Sequence, residues 1–534
     1  METYPSLIDG ADGEHDKWIH VVRTSAMLAD EIGCLRLKRG LDRGTIDGVR
    51  DDRAVGRVGI SSREQIDRAA AAARRAQREW ADASVTDRIE LGRRINEVMR
   101  KNIDRFIEYL VAEGHPRRFA ELEIAVAMEG TSELGLELTR AQLEQIGHVG
   151  GRQTRLVRKP DGVVCVHPPH NAPAANSLLA IGALIAGNAV VVKAPRSAPL
   201  TTAWAWRELV YPALCDFGAP RGLVNVVCGE PNAVLRQWLD SDDTDNLMFF
   251  GDSARGIPVG RDWFNRGKKT VLELSGNDGV LIWRDAEAEL AVEALREAYY
   301  GSGQVCMAPN FAVVHPDIAD TVISRLADTV RTMRPGMPED RTTVLSPVFK
   351  SAEFFQTLEQ AVAGGAETLF GGHRIDVEGN VSDVGFFLEP TAIRVDGLAL
   401  ADRLDVVRKE TFFPLLSIVV PERRDDDQTL LRACVGFMNG NRYGLRNSLW
   451  SRDAHVIETF CGGMNNSGTL KVNDSHIGVS PGVATHGGTG LSGGPYGGAN
   501  YPALGTSHLQ AISIATEVRP RRAIFEVADG ATPS

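Results

Sequence analysis

The 534-residue sequence lacks several features that mark whole classes of protein. It has no uninterrupted run of eighteen apolar residues, which argues against a transmembrane helix. Its seven cysteines show no CxxC spacing, which argues against a disulfide framework or a zinc site, and we expect no metal. A net charge of −11 offers no basic face for nucleic acid, and the polar, acidic N-terminus does not resemble a secretory signal. We therefore expect a cytoplasmic protein that binds neither nucleic acid nor membrane.

The first 160 residues carry mainly helical patterns. Residues 1–60 are poorly periodic apart from a strand-like piece at 18–22, and the sequence leaves open whether the first thirty residues form an ordered arm or a flexible extension. Ser62 and Gln65 fit a capping box at the start of an amphipathic helix. Apolar residues at helical spacing predict a second long helix over about 86–113, which glycine and proline at 114 and 116 would end.

From residue 160 onward, short β-branched runs alternate with helical segments. The runs that we interpret as strands are 163–166, 189–192, 224–227, 247–250, 311–314 and 415–420. Continuous apolar strands alternating with helices predict parallel, doubly wound sheets. The glycine-dense stretch 478–505 is interpreted as an ordered but irregular loop system.

Two residues about thirty positions apart suggest covalent catalysis. Cys306 ends the small, flexible run Gly301-Ser302-Gly303-Gln304-Val305, which predicts a tight turn or helix start where backbone N–H groups favour thiolate over thiol. Glu273 follows a β-rich run and precedes a turn, which places a carboxylate at the carboxyl end of a strand. A nucleophile and a potential base together suggest a covalent intermediate that is then hydrolysed.

Five motifs in order carry a resemblance to a known family. They are residues 169–173, 192–195, 250–256, the segments around Glu273 and Cys306, and 409–414. In this order and spacing they resemble the aldehyde dehydrogenase superfamily over about residues 50–518. The resemblance implies an α/β fold with two doubly wound α/β domains plus a small β oligomerisation flap, in a homodimer or homotetramer.

The resemblance also implies domain boundaries. Residues 1–146 and 160–274 would form the cofactor-binding domain and residues 275–505 the catalytic domain. Residues 147–159 and 506–534 would be the oligomerisation segments. We expect the flap to consist of the strand pair 150–158 and 162–166 with a late strand over 509–518.

The resemblance assigns catalytic and cofactor roles. Cys306 would attack a small-molecule aldehyde, the Asn171 amide and the Cys306 backbone N–H would bind the oxyanion, and Glu273 would activate the water that hydrolyses the thioester. The cofactor would be NADP or NAD. Its expected contacts are Lys193, Arg196, Gly251, Asp252, Ser253, Gly256, Glu410 and Phe412.

Departures from the commonest family pattern affect cofactor and substrate. Arg196 stands where NAD-preferring members often carry glutamate, and an arginine there favours the 2′-phosphate of NADP. Asp252 fits a helix N-cap but is electrostatically awkward beside a pyrophosphate, which Arg255 could compensate. The expected substrate contacts are His170, which replaces the usual tryptophan, together with Tyr299, Tyr300 and His486.

Two other functions stay open at the level of the sequence. One is a CoA-acylating semialdehyde dehydrogenase, in which CoA rather than water receives the acyl group; the presence of Glu273 argues against it. The other is a catalytically retired homologue with a binding or structural role, which the intact Cys306, Asn171, Glu273 and Glu410 disfavour.

Overall fold

The computed structural model describes residues 1–46, 51–149 and 151–515. We number its strands and helices in chain order. The strands are β1 Glu2–Tyr4, β2 Leu7–Ile8, β3 Ala11–Asp12, β4 Trp18–Val22, β5 Ala54–Gly59, β6 Glu144–Val149, β7 Arg152–Pro160, β8 Val163–His167, β9 Ala189–Ala194, β10 Val224–Cys228, β11 Asn246–Phe250, β12 Lys269–Glu273, β13 Asp278–Ile282, β14 Pro309–Val314, β15 Glu367–Phe370, β16 Arg374–Ile375, β17 Phe387–Leu388, β18 Thr391–Asp396, β19 Leu415–Val420, β20 Tyr443–Gly444, β21 Arg446–Trp450, β22 Thr469–Val472, β23 His486–Gly487, β24 Thr489–Gly490, β25 Ala499–Asn500 and β26 Ser507–Ala515.

The helices alternate with these strands over most of the chain. They are α1 Thr24–Ala29, α2 Glu31–Asp42, α3 Arg63–Trp80, α4 Val85–Lys101, α5 Ile103–Ala112, α6 Arg117–Glu129, α7 Glu133–Leu143, α8 Pro173–Leu178, α9 Ile181–Ala186, α10 Pro199–Trp204, α11 Tyr211–Phe217, α12 Pro231–Asp240, α13 Ser253–Asn265, α14 Ala288–Arg296, α15 Ala319–Val330, α16 Ala352–Ala363, α17 Leu398–Ala401, α18 Asp405–Arg408, α19 Asp427–Asn439, α20 Ala454–Gly463 and α21 Pro502–Gly505. A π-helical turn, Ala205–Val210, joins α10 to α11, and a 3-10 segment, Glu297–Gly303, follows α14. Within the described ranges, no helix has the length and apolarity that a bilayer crossing requires.

Two seven-stranded sheets form the framework. The first has the order β12-β11-β8-β9-β10-β2-β3, and its strands from β8 to β12 are parallel. The second has the order β15-β18-β19-β14-β13-β21-β22 and is parallel except for β15. Their central strands are buried along their whole length, as expected where helices cover both faces of a parallel sheet. This confirms the predicted pair of doubly wound sheets.

The N-terminal residues are ordered. Strands β1, β5 and β4 form a three-stranded sheet, and β2 with β3 extends the first large sheet at its β10 edge. The predicted capping box is present, because the Ser62 hydroxyl accepts from the Gln65 N–H and the Gln65 side chain accepts from the Ser62 N–H. The first thirty residues are therefore an ordered arm.

The predicted helix over 86–113 is two helices. The chain leaves helical geometry at Asn102, where φ is −118° and ψ is 16°. The Asn102 side chain donates to the Val98 carbonyl at 2.8 Å, which satisfies a carbonyl that the next turn of α4 would otherwise use. Asparagine competes with the helical backbone in this way, and apolar spacing alone does not reveal the break.

A separate antiparallel sheet, which we call the flap, contains β26, β7 and β6. The expectation that 162–166 pairs with the flap is wrong, since Val163–His167 lies between β9 and β11 in the first large sheet. Every residue of β8 is buried, which suits a central parallel strand, whereas β7 is largely half-exposed. Position 150 and residues 516–534 of the expected flap segments lie outside the described residues.

Candidate active site

A cavity of 1880 Å³ lies along the carboxyl ends of the first sheet's strands. Its walls include most of the residues that the sequence singled out. These are Cys306, Glu273, Asn171, Lys193, Arg196, Gly251, Asp252, Ser253, Glu410, Phe412, His170 and His486. The structure thus gathers into one space side chains that are up to about 300 positions apart in the chain.

The loop that presents Cys306 is fixed by an unusual backbone. Gly301, Ser302 and Gly303 all have positive φ, at 61°, 56° and 69°. Residues other than glycine rarely adopt this backbone conformation. The Ser302 hydroxyl donates to the Ser346 carbonyl at 2.6 Å and holds this strained turn. A Cβ at Gly303 would lie 2.1 Å from the Phe413 carbonyl oxygen, so the loop needs glycine there. Three left-handed residues in succession turn the chain sharply just before Cys306.

The Cys306 thiol has a raised pKa, contrary to the expected stabilisation of thiolate by backbone N–H groups. Burial has the largest effect, and the carboxylates of Glu410, Asp278 and Glu273 add to it. Arg446 acts in the opposite direction but is outweighed. The thiol is therefore protonated in the resting protein, and a proton acceptor is required before it can react as a nucleophile.

Asn171 lies beside the cysteine loop. It follows β8 and precedes α8, and its side-chain N–H donates to the Gln304 carbonyl at 3.0 Å. In the parts of the chain that the structure describes, the backbone N–H of Cys306 has no hydrogen-bond acceptor. The amide of Asn171, which carries a second N–H, and this backbone N–H supply the two donors that an oxyanion near Cys306 would need.

Glu273 ends β12 and is buried, with 6% of its surface exposed. Burial raises its pKa to about 7, although hydrogen bonds from the Gly487 N–H, at 2.8 Å, and the Asn500 amide partly oppose the rise. A carboxyl group whose pKa is close to neutral can both accept and return a proton at physiological pH. Glu273 thus has the properties of a general base in the same cavity as the partly buried thiol of Cys306.

The environment of Lys193 shows whether the cavity suits a nucleotide. The residue is 1% exposed near the end of β9, and within the described residues its ammonium forms no ion pair. It donates to the Ala194 carbonyl at 3.5 Å. Burial, with the nearby Arg255 and Arg196 cations, lowers its pKa to about 8. A buried ammonium with unused donors, facing a cavity, fits the hydroxyl groups of a ribose.

Glu410 and Phe412 enter the cavity from the second domain. One carboxylate oxygen of Glu410 accepts from the Gly276 N–H at 2.9 Å, and burial raises the pKa of the group to about 7. Phe412 has φ of 57°, a strained value for a bulky residue that the fold imposes at the cavity wall. Together with Lys193, these groups can hold a dinucleotide along the cavity.

The N-terminus of α13 also faces the cavity. Asp252 is its N-cap, accepting from the Arg255 N–H at 2.8 Å, so the N-cap interpretation is confirmed. The Arg255 side chain donates to the Asn232 amide oxygen at 2.6 Å and makes no ion pair with Asp252. Gly256 is not among the wall residues, and its expected cofactor contact stays a prediction. A Cβ there would lie 2.1 Å from the side chain of Leu274, the residue after β12, so this glycine allows α13 to pack closely there.

The expected substrate contacts divide into two groups. His170 and His486 line the cavity, whereas Tyr299 is fully buried in the core of the second sheet and does not. Tyr299 is 0% exposed, so the structure does not bring this side chain to the cavity. Tyr300 lies outside the cavity wall as well, but it packs in an apolar cluster that includes Cys306.

Asn176 is a site residue that the sequence analysis missed. Its side-chain oxygen lies 2.9 Å from Nε2 of His486, and both side chains are buried and line the cavity. Burial lowers the pKa of His486 to about 3, so this imidazole is neutral and can hydrogen-bond to the amide. Asn176 lies within a helix of small residues, where the sequence carries no signal for a site.

Residues 1–60, which we call the N-terminal arm, also line the cavity at positions that were not predicted. They include Lys17, Trp18, His20, Lys38, Arg43 and Arg57. The alternation of polar and apolar residues over 18–22 weakly indicates a strand with one exposed face. It does not indicate that this face lines a cavity.

Comparisons with known proteins agree with this geometry. The sequence model of the Aldehyde dehydrogenase family matches residues 45–510. The chain is 29% identical over 476 residues to a Mycobacterium ulcerans (strain Agy99) protein named putative succinate-semialdehyde dehydrogenase (NADP+) 2, which covers 86% of each chain. It is 26% identical to the vanillin dehydrogenase of Corynebacterium glutamicum, covering 81% of this chain and 86% of that one.

Among solved structures, the fold is similar to that of an NAD-dependent aldehyde dehydrogenase from Sinorhizobium meliloti. The two superpose with a TM-score of 0.80 at 22% sequence identity, covering 97% of this chain and 96% of the other. At this identity the likeness establishes the fold.

Proposed function

The chain belongs to the aldehyde dehydrogenase family, and we propose that it oxidises a small-molecule aldehyde to the carboxylic acid through a thioester on Cys306, with NADP or NAD as cofactor. The observation that carries the proposal is the meeting of Cys306, Asn171 and Glu273 in one cavity, with a Glu273 pKa of about 7.

In the first step the thiol loses its proton, with ionised Glu273 as the acceptor directly or through water. The sulfur then forms a bond to the aldehyde carbon, and the electron pair of the carbonyl moves to its oxygen. The Asn171 amide and the Cys306 backbone N–H donate to this oxyanion. One such donor typically stabilises the transition state by about 3–4 kcal/mol.

The bound dinucleotide supplies the acceptor for the hydride that leaves the tetrahedral carbon. Lys193 would donate to a ribose hydroxyl, and Glu410 would accept from one with the oxygen that Gly276 does not engage. The N-terminus of α13 would lie towards the phosphates. Loss of the hydride restores the carbonyl, which leaves the acyl group on sulfur as a thioester.

In the second half, Glu273 removes a proton from water as the water oxygen attacks the thioester carbon. The C–S bond breaks, the acid leaves as carboxylate and the sulfur regains a proton. Aldehyde, water and oxidised dinucleotide thus give carboxylate, reduced dinucleotide and two protons. The raised pKa of Glu273 suits this step because its proton affinity approaches neutrality.

We favour NADP over NAD. Arg196 is exposed at the cavity wall, and within the described residues it forms no ion pair with a carboxylate. A guanidinium that is not held in an ion pair can pair with the 2′-phosphate that distinguishes NADP. One similar protein carries NADP in its name.

The test is a panel of aldehydes with NAD and with NADP, followed by the absorbance of the reduced cofactor and by identification of the acid. We expect acid and reduced cofactor in equal amounts, without a requirement for CoA. Cys306→Ala should abolish the reaction. Absence of activity across the panel, together with no dinucleotide binding, would refute the function, and a thioester product with CoA would replace hydrolysis by acyl transfer.

We also propose that the flap mediates assembly into a homodimer or homotetramer. Its strands expose apolar side chains, among them Ile146, Val149, Leu509 and Ile514 with 54%, 72%, 56% and 43% of their surface exposed. Apolar residues gathered on one exposed sheet favour association. Light scattering after size-exclusion chromatography would give the mass; a monomer at micromolar concentration would refute the assembly.

A further inference from the structure

The connection between β4 and β5 is far longer than their geometry needs. The two strands are antiparallel neighbours, with Val22 opposite Ala54, and a turn of a few residues would join them. Instead the chain inserts α1 and α2 between them. We call residues 24–46 the insert. It precedes almost all of the region that the family model matches.

The insert is fixed to the strands beside it. Cys34, Leu37 and Leu41 of α2 pack with Val22 and Ala54 in a small core of their own. The side chain of Asp42 accepts from both the backbone N–H, at 2.9 Å, and Nδ1, at 3.0 Å, of His20. The insert is therefore an integral, packed part of the fold.

The N-terminal sheet presents opposite faces to the core and to the cavity. Ile19, Val21 and Val58 belong to the main hydrophobic core. Thr3, His20 and Arg57 are cross-strand partners in register, and all three line the cavity, as does Trp18. Since side chains alternate along a strand, one face of this sheet is anchored and the other forms a cavity wall.

This wall lies at the end of the cavity remote from Glu273. Along the first sheet, the order β12-β11-β8-β9-β10 places Glu273 at one edge and Cys228 four strands away, about 19 Å at the usual strand spacing. Ser61, just after β5, exchanges hydrogen bonds with Cys228, so the N-terminal sheet continues from there. Gly56 packs on Leu200 of α10, the helix that follows Arg196.

The remote end is positively charged although the chain carries a net charge of −11. Its cavity-lining cations are Lys17, Lys38, Arg43, Arg57 and Arg196, and its anions are Asp16 and Asp42. Asp42 is already engaged by His20 and, at 3.3 Å, by Lys38. The guanidinium of Arg57 lies 4.4 Å over the Trp18 ring, which orients this cation beside an aromatic surface.

We infer that the N-terminal sheet and the insert bind the phosphorylated adenosine end of the dinucleotide, with Lys17 and Arg57 acting with Arg196 on its 2′-phosphate. The inference rests on the proposed function. A ligand whose reactive end lies at Cys306 and Glu273 and whose middle meets Lys193 must extend towards this wall. A 2′-phosphate placed between cations from both sides gains charge-assisted hydrogen bonds that NAD lacks.

The test measures binding without turnover. Dissociation constants for NADP, NAD, 2′,5′-ADP and inorganic phosphate are determined by calorimetry on the whole protein. The variants are Lys17→Gln with Arg57→Gln and, as a matched control, Arg36→Gln with Arg39→Gln. The control removes two exposed cations of α2 that are not on the cavity wall. We expect the first pair to weaken NADP and 2′,5′-ADP by about tenfold or more and NAD by less than about twofold, and the control pair to change none of them.

Each other outcome has a distinct meaning. Unchanged NADP binding in the Lys17/Arg57 variant, or equal loss of NAD and NADP, would overturn the inference; so would inorganic phosphate binding as tightly as 2′,5′-ADP. If wild-type protein binds NAD but not NADP, the inference fails while the dehydrogenase function stands. If it binds neither, the proposed function fails. Arg57→Lys keeps the charge, and Lys17→Gln alone leaves the Arg57–Trp18 contact intact, so both test the inference should the double variant not fold.

Discussion

Replacing Glu273 with glutamine separates the two halves of the proposed reaction. Glutamine keeps the shape of the side chain and an oxygen that can accept from the Gly487 N–H, but it cannot take a proton from water. Formation of the acyl-enzyme requires removal of one proton, that of the Cys306 thiol, and water can accept this proton more slowly. Hydrolysis, by contrast, depends on Glu273 as the base in every cycle. General-base catalysis contributes about 10²–10⁴-fold, so we expect steady-state turnover to fall by that range.

The assay is rapid mixing with aldehyde and dinucleotide. Glu273→Gln should give a burst of reduced cofactor that approaches one equivalent per site, followed by slow turnover, and mass spectrometry should find the acyl group on Cys306. Cys306→Ala should show no burst. Glu289→Gln, which removes an exposed carboxylate on α14, serves as the matched control and should leave turnover unchanged.

The pH dependence of hydrolysis gives a second, quantitative check. With a Glu273 pKa of about 7, the ionised fraction rises about tenfold between pH 6 and pH 8, and the hydrolysis rate should follow it. In Glu273→Gln this rise should be absent. Full steady-state turnover in the variant, or an unchanged pH profile, would refute the role of Glu273.

The same pKa predicts an effect on stability with a definite sign. Because the folded-state pKa lies above the ordinary value of 4.5, the folded protein binds more protons than the unfolded chain between about pH 4.5 and pH 7. Stability should therefore fall as pH rises through this window, by about 3 kcal/mol from this group. Denaturant unfolding should show Glu273→Gln gaining stability relative to wild type over that range; a constant difference would contradict the burial argument.

Three further variants test other parts of the site. Asn171→Ala should lower kcat by about 10²–10³-fold by removing an oxyanion donor, with alkylation of Cys306 by iodoacetamide as the control that the thiol is intact. Gly276→Ala puts a Cβ 1.8 Å from the Cys306 carbonyl oxygen and should cost about 1–3 kcal/mol in unfolding free energy, whereas Gly436→Ala, with no atom within 4 Å, should not destabilise. Lys193→Met should weaken dinucleotide binding by about 1.5–3 kcal/mol in calorimetry. The dinucleotide affinity of the wild-type protein should also fall above about pH 8, as the Lys193 ammonium loses its proton. An unchanged kcat, unfolding free energy or dinucleotide affinity would reject the role given to Asn171, Gly276 or Lys193, respectively.

The parallel sheets and the position of Glu273 follow from local sequence. Runs such as Val190–Val192 are too apolar for a half-exposed strand, and a carboxylate that ends a parallel strand must lie at the sheet's carboxyl edge. What the sequence did not indicate has another cause. The helix break at Asn102 and the packing of Gly256 and Tyr299 are decided by tertiary contacts or by one side-chain hydrogen bond, and periodicity contains no information about these.

The N-terminal arm shows a different limit of prediction from sequence. Its strands are two to six residues long, and β4 and β5 are separated by the insert, so no local pattern pairs them. The cations of the arm are scattered along the chain and reach the cavity that Arg196 lines only through the sheet order. A resemblance carried by motifs after residue 169 could not include them.

The raised pKa values of Cys306 and Glu273 are two aspects of one constraint. Burial is the largest cause of both rises, and the Glu273 carboxylate raises the pKa of the thiol further, so the thiolate and the ionised carboxylate oppose each other. The proposed steps never require both. Glu273 is neutral while the charge lies on sulfur and then on the oxyanion, and it must be ionised only when the sulfur is uncharged in the thioester. Burial that disfavours charge on both Cys306 and Glu273 therefore matches a reaction in which one charge passes between the base, the nucleophile and the oxyanion.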